Sequence, residues 1–239
     1  MAIEYHLRKH EDKGQFIPQG SGERLMFITH GTSKYTEREE VKMVLDGGCS
    51  WVQLRMKGNM NIFTAREIGQ LINEHTNKCI YCINDNARIA LRCGANAVHL
   101  GKEDISVSAA WEMAKEQLFP GETFYIGATA NTFEDIVEAN RQGASYVGLG
   151  PYRFTETKKN LSPILGLEGY ERIMEQCREA GLKIPIFAIG GIRYEDIDPL
   201  METGIAVSSA ITQAPDPVKE MKRFCSRIKY YVKQRGHFD

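Results

Sequence analysis

Polar and glycine residues follow seven short apolar runs of the chain, and their types are those that bind anions and metal ions. The seven endings are Gln53-Leu54-Arg55-Met56-Lys57, Asn84-Asp85, Gly101-Lys102-Glu103-Asp104, Gly127-Ala128-Thr129, Thr155-Glu156-Thr157-Lys158-Lys159, Gly190-Gly191 and Ser208-Ser209. In a closed parallel sheet the strands end at one rim, where the active sites of such barrels lie. The sequence therefore predicts a rim that holds acids, cations and glycine-rich turns for phosphate.

Three polar side chains alternate at the end of the second predicted strand, in the first of these endings. Gln53, Arg55 and Lys57 are two residues apart, so in a strand they share one face. On the inner face of a barrel they would bring two cations to the rim. For any one of them a buried ion pair with a neighbouring acid is the alternative, but three polar residues on one inward face favour binding.

Two acids follow neighbouring predicted strands. Asp85 follows Asn84, and Asp104 ends the next polar run. One or two carboxylates, completed by waters and substrate phosphates, are the usual protein ligands of Mg²⁺. Asp85 is equally compatible with an N-cap for a helix over 87–91. His99, between apolar neighbours, is interpreted as a packed structural histidine rather than a catalytic base.

Three further endings have the composition of anion-binding loops. The run that contains Thr155, Thr157 and Lys158 belongs to a long loop, which is a candidate lid, although such a run is also typical of a solvated loop. Gly190-Gly191 and Ser208-Ser209 occupy the loops where many barrels seat a phosphate on backbone N–H groups. A pair of tight turns is the alternative for these two.

Strand-like and helix-like segments alternate along the chain. The predicted strands are 25–29, 51–55, 79–84, 97–100, 125–128, 146–150, 185–189 and 205–209, each followed by a helix-compatible segment. This order predicts an α/β fold, a TIM (β/α)8 barrel that forms a single domain over 25–239. Thr36 and Glu39 suit a capping box, and Asp216-Pro217 suits the start of a last helix to about Gly236. Residues 1–24 form a polar, aperiodic extension of unknown role.

Composition narrows the class of protein. The net charge of −1 provides no global field for nucleic acid, and no apolar stretch reaches the length that crosses a membrane. Six scattered cysteines without a preceding secretory segment predict reduced thiols in a cytoplasmic protein. Cys79 and Cys82 form a CxxC pair, but strand alternation points them to opposite faces, so zinc or redox chemistry is not predicted.

From about Leu25 to Ile211 the chain resembles the thiamine phosphate synthase family. Five motifs carry the resemblance, in order: Gln53-Leu54-Arg55-Met56-Lys57; Ile83-Asn84-Asp85; Val98-His99-Leu100-Gly101 with Asp104; Gly150-Pro151 with Thr155-Glu156-Thr157-Lys158-Lys159; and Ala188-Ile189-Gly190-Gly191-Ile192. Two departures stand out. Ser208 replaces a usual apolar residue, and Arg153-Phe154 replaces a more common aromatic–proline pair.

The resemblance implies a role for each rim residue. Residues implied to hold hydroxymethylpyrimidine diphosphate are Gln53, Arg55, Lys57 and Asn84, with Asp85 and Asp104 binding Mg²⁺ on its diphosphate. Thr129 stands where the family usually has a serine, and Lys158 would contact the diphosphate; with Arg55 and Lys57 these are the implied catalytic residues. Thr155, Thr157, Gly190, Gly191, Ser208 and Ser209 would seat the phosphate of the thiazole substrate.

The implied chemistry is dissociative substitution, in which diphosphate leaves before the thiazole nitrogen attacks. Such a reaction needs no nucleophilic residue, which agrees with a chain that offers no convincing Ser/His/Asp or Cys/His set. The alternatives are a thiazole tautomerase of the same barrel family and a non-catalytic thiamine or thiazole phosphate binding protein. Asp85, Asp104 and Lys158 together favour the synthase. The expected partners are small-molecule substrates, without nucleic acid or membrane, and a homo-oligomer is left open.

Overall fold

The strands form a closed parallel barrel in which sequence order is also spatial order. The computed structural model describes residues 20, 22–56, 58, 60–76, 78–154 and 163–234. The strands are β1 (Leu25–Ile28), β2 (Trp51–Leu54), β3 (Ile80–Asn84), β4 (Ala97–Leu100), β5 (Tyr125–Ala130), β6 (Tyr146–Leu149), β7 (Ile186–Ala188) and β8 (Gly204–Val207). β8 pairs with β1 and closes the sheet, so the predicted TIM barrel is confirmed.

Helices cover the outside of the barrel. They are α1 (Glu37–Asp46), α2 (Ile62–His75), α3 (Ala87–Arg92), α4 (Val107–Gln117), α5 (Phe133–Arg141), α6 (Gly166–Glu179), α7 (Ser209–Thr212) and α8 (Pro217–Gln234). The predicted capping box at Thr36 and Glu39 is present at the start of α1. The predicted extension of the last helix to Gly236 and nearly all of the extension 1–24 lie outside the described residues.

The connection between β7 and β8 differs from the predicted strand–helix unit. It contains the 3₁₀ turn Tyr194–Asp196 instead of an α-helix. Pro199 follows shortly afterwards, and proline cannot donate the backbone hydrogen bond that would continue a helix. The predicted strand ends also shift by one or two residues. β5, for example, extends to Ala130, and β8 begins at Gly204.

Side chains of alternate strand residues form two separate apolar cores. The inner core takes buried side chains from all eight strands: Met26, Ile28, Trp51, Ile80, Cys82, Ala97, Tyr125, Tyr146, Phe187 and Ala206. Trp51 contacts Tyr146 and Phe187 edge to face, with ring centroids 5.0 and 4.8 Å apart. The second core lies between the strands and the helices. Filled with aromatic rings, the barrel interior is a rigid floor beneath the rim.

Because Gly127 has no side chain, the ring of Tyr146 can pack directly against its backbone. A Cβ atom at position 127 would overlap the ring of Tyr146, which is fully buried. We expect Gly127→Ala to lower the free energy of unfolding by about 1–3 kcal/mol, because overpacking forces a core side chain out of its rotamer. Urea unfolding measures the change. Gly58→Ala is the control, because a Cβ atom there meets nothing within 4 Å, and equal stability of the two variants would contradict this packing.

The CxxC cysteines lie in different cores, as alternation predicts. Cys82 belongs to the inner core, whereas Cys79 packs against the outer core. Burial raises the pKa of each thiol to about 12. All six cysteines are free and all have raised pKa values, because burial disfavours the thiolate.

We therefore expect a folded protein whose thiols react slowly with Ellman's reagent near neutral pH. Denaturant should release all six thiols for rapid reaction, because unfolding restores their ordinary pKa values. Absorbance of the released thiolate follows both reactions. A fast phase in the folded protein would show an accessible thiolate and would contradict the burial of these side chains.

Two further observations concern the helices and the surface of the described structure. Among the described helices, none combines the length and the apolar composition needed to span a bilayer. A groove of about 440 Å³ runs between α6 and residues 198–203. It adjoins the start of β8, and therefore lies at the opposite end of the barrel from the predicted rim.

Candidate active site

The carboxyl ends of the strands bring the described candidate residues to one rim. Gln53, Asn84, His99, Thr129 and Ser208 each lie two residues after an inward-facing position and point toward the barrel interior. Arg55 follows Gln53 by two residues and is half-buried. Lys57, Thr155, Thr157 and Lys158 lie outside the described residues.

Asp85 has an unusual backbone conformation at the end of β3. Its φ of 68° makes it the one non-glycine residue in the left-handed region among those described. Its N–H donates to the carbonyl of His99 at 2.8 Å, which ties the end of β3 to β4. Strained residues of this kind cluster at functional sites.

The alternative role of Asp85 as a helix cap is wrong. The N-cap of α3 is Asn86, whose side chain accepts a hydrogen bond from the Ile89 N–H at 3.0 Å. The cap falls on Asn86 because that residue has extended backbone dihedrals, whereas Asp85 is left-handed. The Asp85 side chain is exposed at the rim.

Asp104 is held in the turn that follows β4. Its Oδ2 accepts a hydrogen bond from the Gly101 N–H at 2.7 Å, so the carboxylate lies close to the end of the strand. Asp85 and Asp104 therefore follow adjacent, directly paired strands.

The donor set fits a hard divalent cation. Carboxylate oxygens from one or two side chains suit Mg²⁺, which keeps waters and binds substrate phosphates at its other positions. The described residues contain no group of three or more His, Cys, Asp or Glu side chains able to hold a metal. A cation at Asp85 and Asp104 would thus take most of its ligands from water and substrate.

A chain of buried polar groups leads from the barrel interior to Thr129. The Tyr146 hydroxyl lies 3.2 Å from His99 Nδ1, and His99 Nε2 lies 3.1 Å from Thr129 Oγ1. Burial raises the pKa of Tyr146 well above its usual value, so the phenol stays neutral. His99 is 6% exposed, and both of its ring nitrogens have hydrogen-bond partners, so the predicted packing of this histidine is confirmed.

The Gln53 side chain is almost fully buried beneath the rim. It is 2% exposed, and its Nε2 donates to the Met26 thioether at 3.3 Å. The Gln53 side chain also hydrogen-bonds Tyr146, so the amide belongs to the buried polar group beneath the rim. Its place on the floor below Arg55 suits contact with a ring that enters the barrel mouth.

His30 and Ser208 join the first and last strands at the rim. Ser208 Oγ lies 2.8 Å from His30 Nδ1, and the buried Glu40 carboxylate accepts a hydrogen bond from the His30 backbone N–H at 3.0 Å. Glu40 Oε1 also faces Nδ1, at 3.7 Å. A Ser/His/acid relay needs the acid and the hydroxyl on opposite ring nitrogens, so this group is not a hydrolytic triad.

The Gly190-Gly191 turn follows β7 in a conformation that favours glycine. The φ angles are 94° and 69°, and a Cβ atom on Gly190 would approach Pro151 Cβ to 2.8 Å. A Cβ atom on Gly191 would overlap Arg153. Both positions therefore require glycine, for conformation and for close packing.

Sequence reasoning missed His30 and Glu40 and treated Arg153 only as a departure. The polar ending of β1, Thr29-His30-Gly31, obeys the same rule as the seven endings that were recognised. Applying the rule to every strand would have found His30. Glu40 gave no signal, because on a helix its charge predicts a solvated face, whereas in the structure it is fully buried.

Comparisons with known proteins point to one family. A family model described as thiamine monophosphate synthase matches residues 25–213. Over 207 residues the chain is 48% identical to the thiamine-phosphate synthase of Bacteroides fragilis, covering 83% of this chain and 97% of that protein. The thiamine-phosphate synthase of Pyrococcus furiosus is 34% identical over 185 residues, covering 75% of this chain and 83% of the relative.

A solved structure agrees with the sequence matches. Thiamine phosphate pyrophosphorylase from Pyrococcus furiosus superposes with a TM-score of 0.69 at 29% identity, covering 87% of this chain and 98% of that one. The family match begins at the first residue of β1 and extends past Ser209. It therefore includes every described rim residue.

Proposed function

The chain belongs to the thiamine monophosphate synthase family, and we propose that its rim joins hydroxymethylpyrimidine diphosphate to thiazole phosphate. Membership makes it a transferase of thiamine biosynthesis. The observation that carries the proposed chemistry is the pair Asp85 and Asp104 on adjacent strand ends, with the Gly190-Gly191 turn elsewhere on the same rim. Diphosphate would leave at the two acids, and the thiazole phosphate would be held at the glycine turn.

Asp85 and Asp104 would hold Mg²⁺ on the diphosphate. When bound, the ion would supply Lewis-acid stabilisation of the negative charge that builds on the departing group. Arg55, together with Lys57 and Lys158 assigned by the family motif, adds cationic charge to the same group. Preorganised charges are effective because they need no reorganisation when the bond breaks.

The floor of the site would hold the pyrimidine. Asn84 and Gln53 point inward from neighbouring strands and offer amide donors and acceptors to ring nitrogens. His99 Nε2 lies 3.1 Å from Thr129 Oγ1 and fixes the position of that hydroxyl, from which it would contact the pyrimidine or the leaving group.

The thiazole phosphate would sit at the opposite part of the rim. Among the described residues, the backbone N–H groups of Gly190, Gly191 and Ser209 have no hydrogen-bond acceptor. Successive unpaired N–H groups form a concavity that binds anions. The hydroxyl of Ser209, and Thr155 and Thr157 by the family motif, would complete this seat. Ser208 is engaged by His30, so it would shape the seat from behind.

The bond changes balance without an enzyme nucleophile. The C–O bond between the pyrimidine methylene and diphosphate breaks, and the electron pair leaves with diphosphate. The thiazole nitrogen then donates its lone pair to the methylene carbon, giving thiamine phosphate. The site needs charge stabilisation and orientation, which are what the described residues offer.

A two-substrate assay tests the proposal. Purified protein, Mg²⁺ and both substrates should give thiamine phosphate and diphosphate in equal amounts, as measured by chromatography. A tautomerase would convert one thiazole phosphate isomer to another without the pyrimidine. A binding protein would return both substrates unchanged, and either result would replace the proposed function.

The proposal includes a reducing, cytoplasmic compartment. All six cysteines are free thiols, and most are buried. Cell fractionation of the tagged full chain would test this assignment, and recovery in a secreted fraction would contradict it.

A further inference from the structure

We infer that Arg153 and Asp196 form a clamp that positions the Gly190-Gly191 turn to bind the phosphate of the thiazole substrate. The inference rests on the proposed function, because that function supplies the phosphate. Neither residue belongs to the motifs that carry the family resemblance. Both act through the turn and are therefore positioning residues.

Residue 153 binds the carbonyl oxygens of both glycines. The Arg153 backbone N–H donates to the Gly190 carbonyl at 3.1 Å. Its guanidinium Nη1 donates to the Gly191 carbonyl at 2.8 Å. One residue therefore fixes the two peptide planes that follow Gly190 and Gly191.

Fixing the carbonyls also fixes the amide groups. In a trans peptide the N–H of the next residue points opposite to the C=O. The N–H groups of Gly191 and Ile192 consequently point away from Arg153, and neither has an acceptor among the described residues. Two successive N–H donors in fixed positions are what an anion-binding turn requires.

Asp196 holds the guanidinium in place. The two side chains form a fork, in which Nη2 donates to Oδ1 at 2.8 Å and Nη1 to Oδ2. Asp196 Oδ2 also accepts the Arg193 N–H at 2.7 Å, and its side chain is 5% exposed. A buried carboxylate with these partners is strongly oriented, because losing any of them leaves desolvated charge.

A substitution at Asp196 can distinguish two roles of Arg153, namely positioning of the glycine turn and direct attraction of the phosphate. If Arg153 acted only through its charge, removing the Asp196 charge would make the site more positive and strengthen phosphate binding. If the clamp positions the turn, removing that charge frees the guanidinium and weakens binding. The two mechanisms therefore predict opposite signs for Asp196→Asn.

Steady-state kinetics of the full-length protein decide between them. We expect Asp196→Asn and Arg153→Gln each to raise KM for thiazole phosphate by about tenfold, the loss of roughly one oriented hydrogen bond. KM for the pyrimidine diphosphate should stay unchanged, and kcat should change by less than about threefold. Arg153→Lys keeps the charge but not the fork, and should show an intermediate KM.

A second fork in the same connection is the matched control. Asp198 pairs with Arg227 of α8 through Oδ1–Nε at 3.0 Å and Oδ2–Nη2 at 2.5 Å. It lies two residues from Asp196 but does not contact the glycine turn. Asp198→Asn should leave both KM values unchanged, so it accounts for any general effect of losing an ion pair.

Each outcome bears on the inference. An unchanged or lowered KM for thiazole phosphate in Asp196→Asn overturns the clamp while leaving the proposed function intact. If that variant fails to fold by circular dichroism, Arg153→Lys decides, and a wild-type KM there overturns the clamp. Absence of thiamine phosphate with the wild-type protein instead refutes the proposed function, and the clamp falls with it.

Discussion

Replacement of Asp104 by asparagine is expected to lower kcat by on the order of a hundredfold at saturating substrates. Asparagine keeps a side-chain oxygen for the Gly101 N–H, so the turn after β4 should be preserved. The substitution removes the negative charge that is proposed to hold the cation on the departing diphosphate. The Mg²⁺ concentration for half-maximal rate should also rise. Initial rates over a range of Mg²⁺ concentrations measure both effects.

Glu103→Gln is the control for this substitution. Glu103 is the adjacent exposed acid in the same turn, and no bond in the described structure commits it to the rim. Its loss should leave kcat and the Mg²⁺ requirement unchanged. Wild-type kcat in Asp104→Asn would remove Asp104 from the proposed metal site. Equal losses in both variants would indicate a general effect of acidic charge near the rim.

A series of substitutions at Asp85 should distinguish the effect of its side-chain charge on activity from the effect of its backbone conformation on stability. Asp85→Asn and Asp85→Gly should each lower kcat by on the order of a hundredfold, because both remove a proposed metal ligand. Both residues tolerate a φ of 68°, so the free energy of unfolding should change little. Asp85→Ala should lose a similar amount of activity and also be less stable by about 1 kcal/mol, the cost of a left-handed alanine.

Urea unfolding and kinetics on the same preparations test the series. Activity should be lost in all three variants, whereas only the alanine variant should lose stability. Full activity in Asp85→Asn would show that the strained conformation serves the loop and not a metal. Loss of stability in Asp85→Asn would point to a structural role for the carboxylate itself.

The barrel could be predicted from local signals in the sequence. Apolar runs, helical spacing and glycine stops recur often enough to set the order of the elements, and closure of the parallel sheet then brings the strand ends together. Strand alternation also placed Gln53 on the inner face, where it follows the inward-facing Trp51 by two residues. Asp85 and Asp104 were predicted to follow neighbouring strands, and the structure agrees.

Contacts between distant segments could not be predicted. His30 and Ser208 are 178 positions apart, and they meet only because β8 pairs with β1. Arg153 and Asp196 are 43 positions apart, and their fork depends on the 3₁₀ turn that replaced a predicted helix. The sequence shows both charges but neither the turn nor the burial that makes them partners.

The central claim is that the rim has two seats, one for the metal and diphosphate and one for the thiazole phosphate. The most direct test is a set of initial rates for the wild-type protein with Mg²⁺ and both substrates varied. The two-seat arrangement predicts that Mg²⁺ lowers KM for the pyrimidine diphosphate and leaves KM for thiazole phosphate unchanged. A KM for thiazole phosphate that falls with Mg²⁺, while that of the diphosphate substrate stays constant, would contradict it.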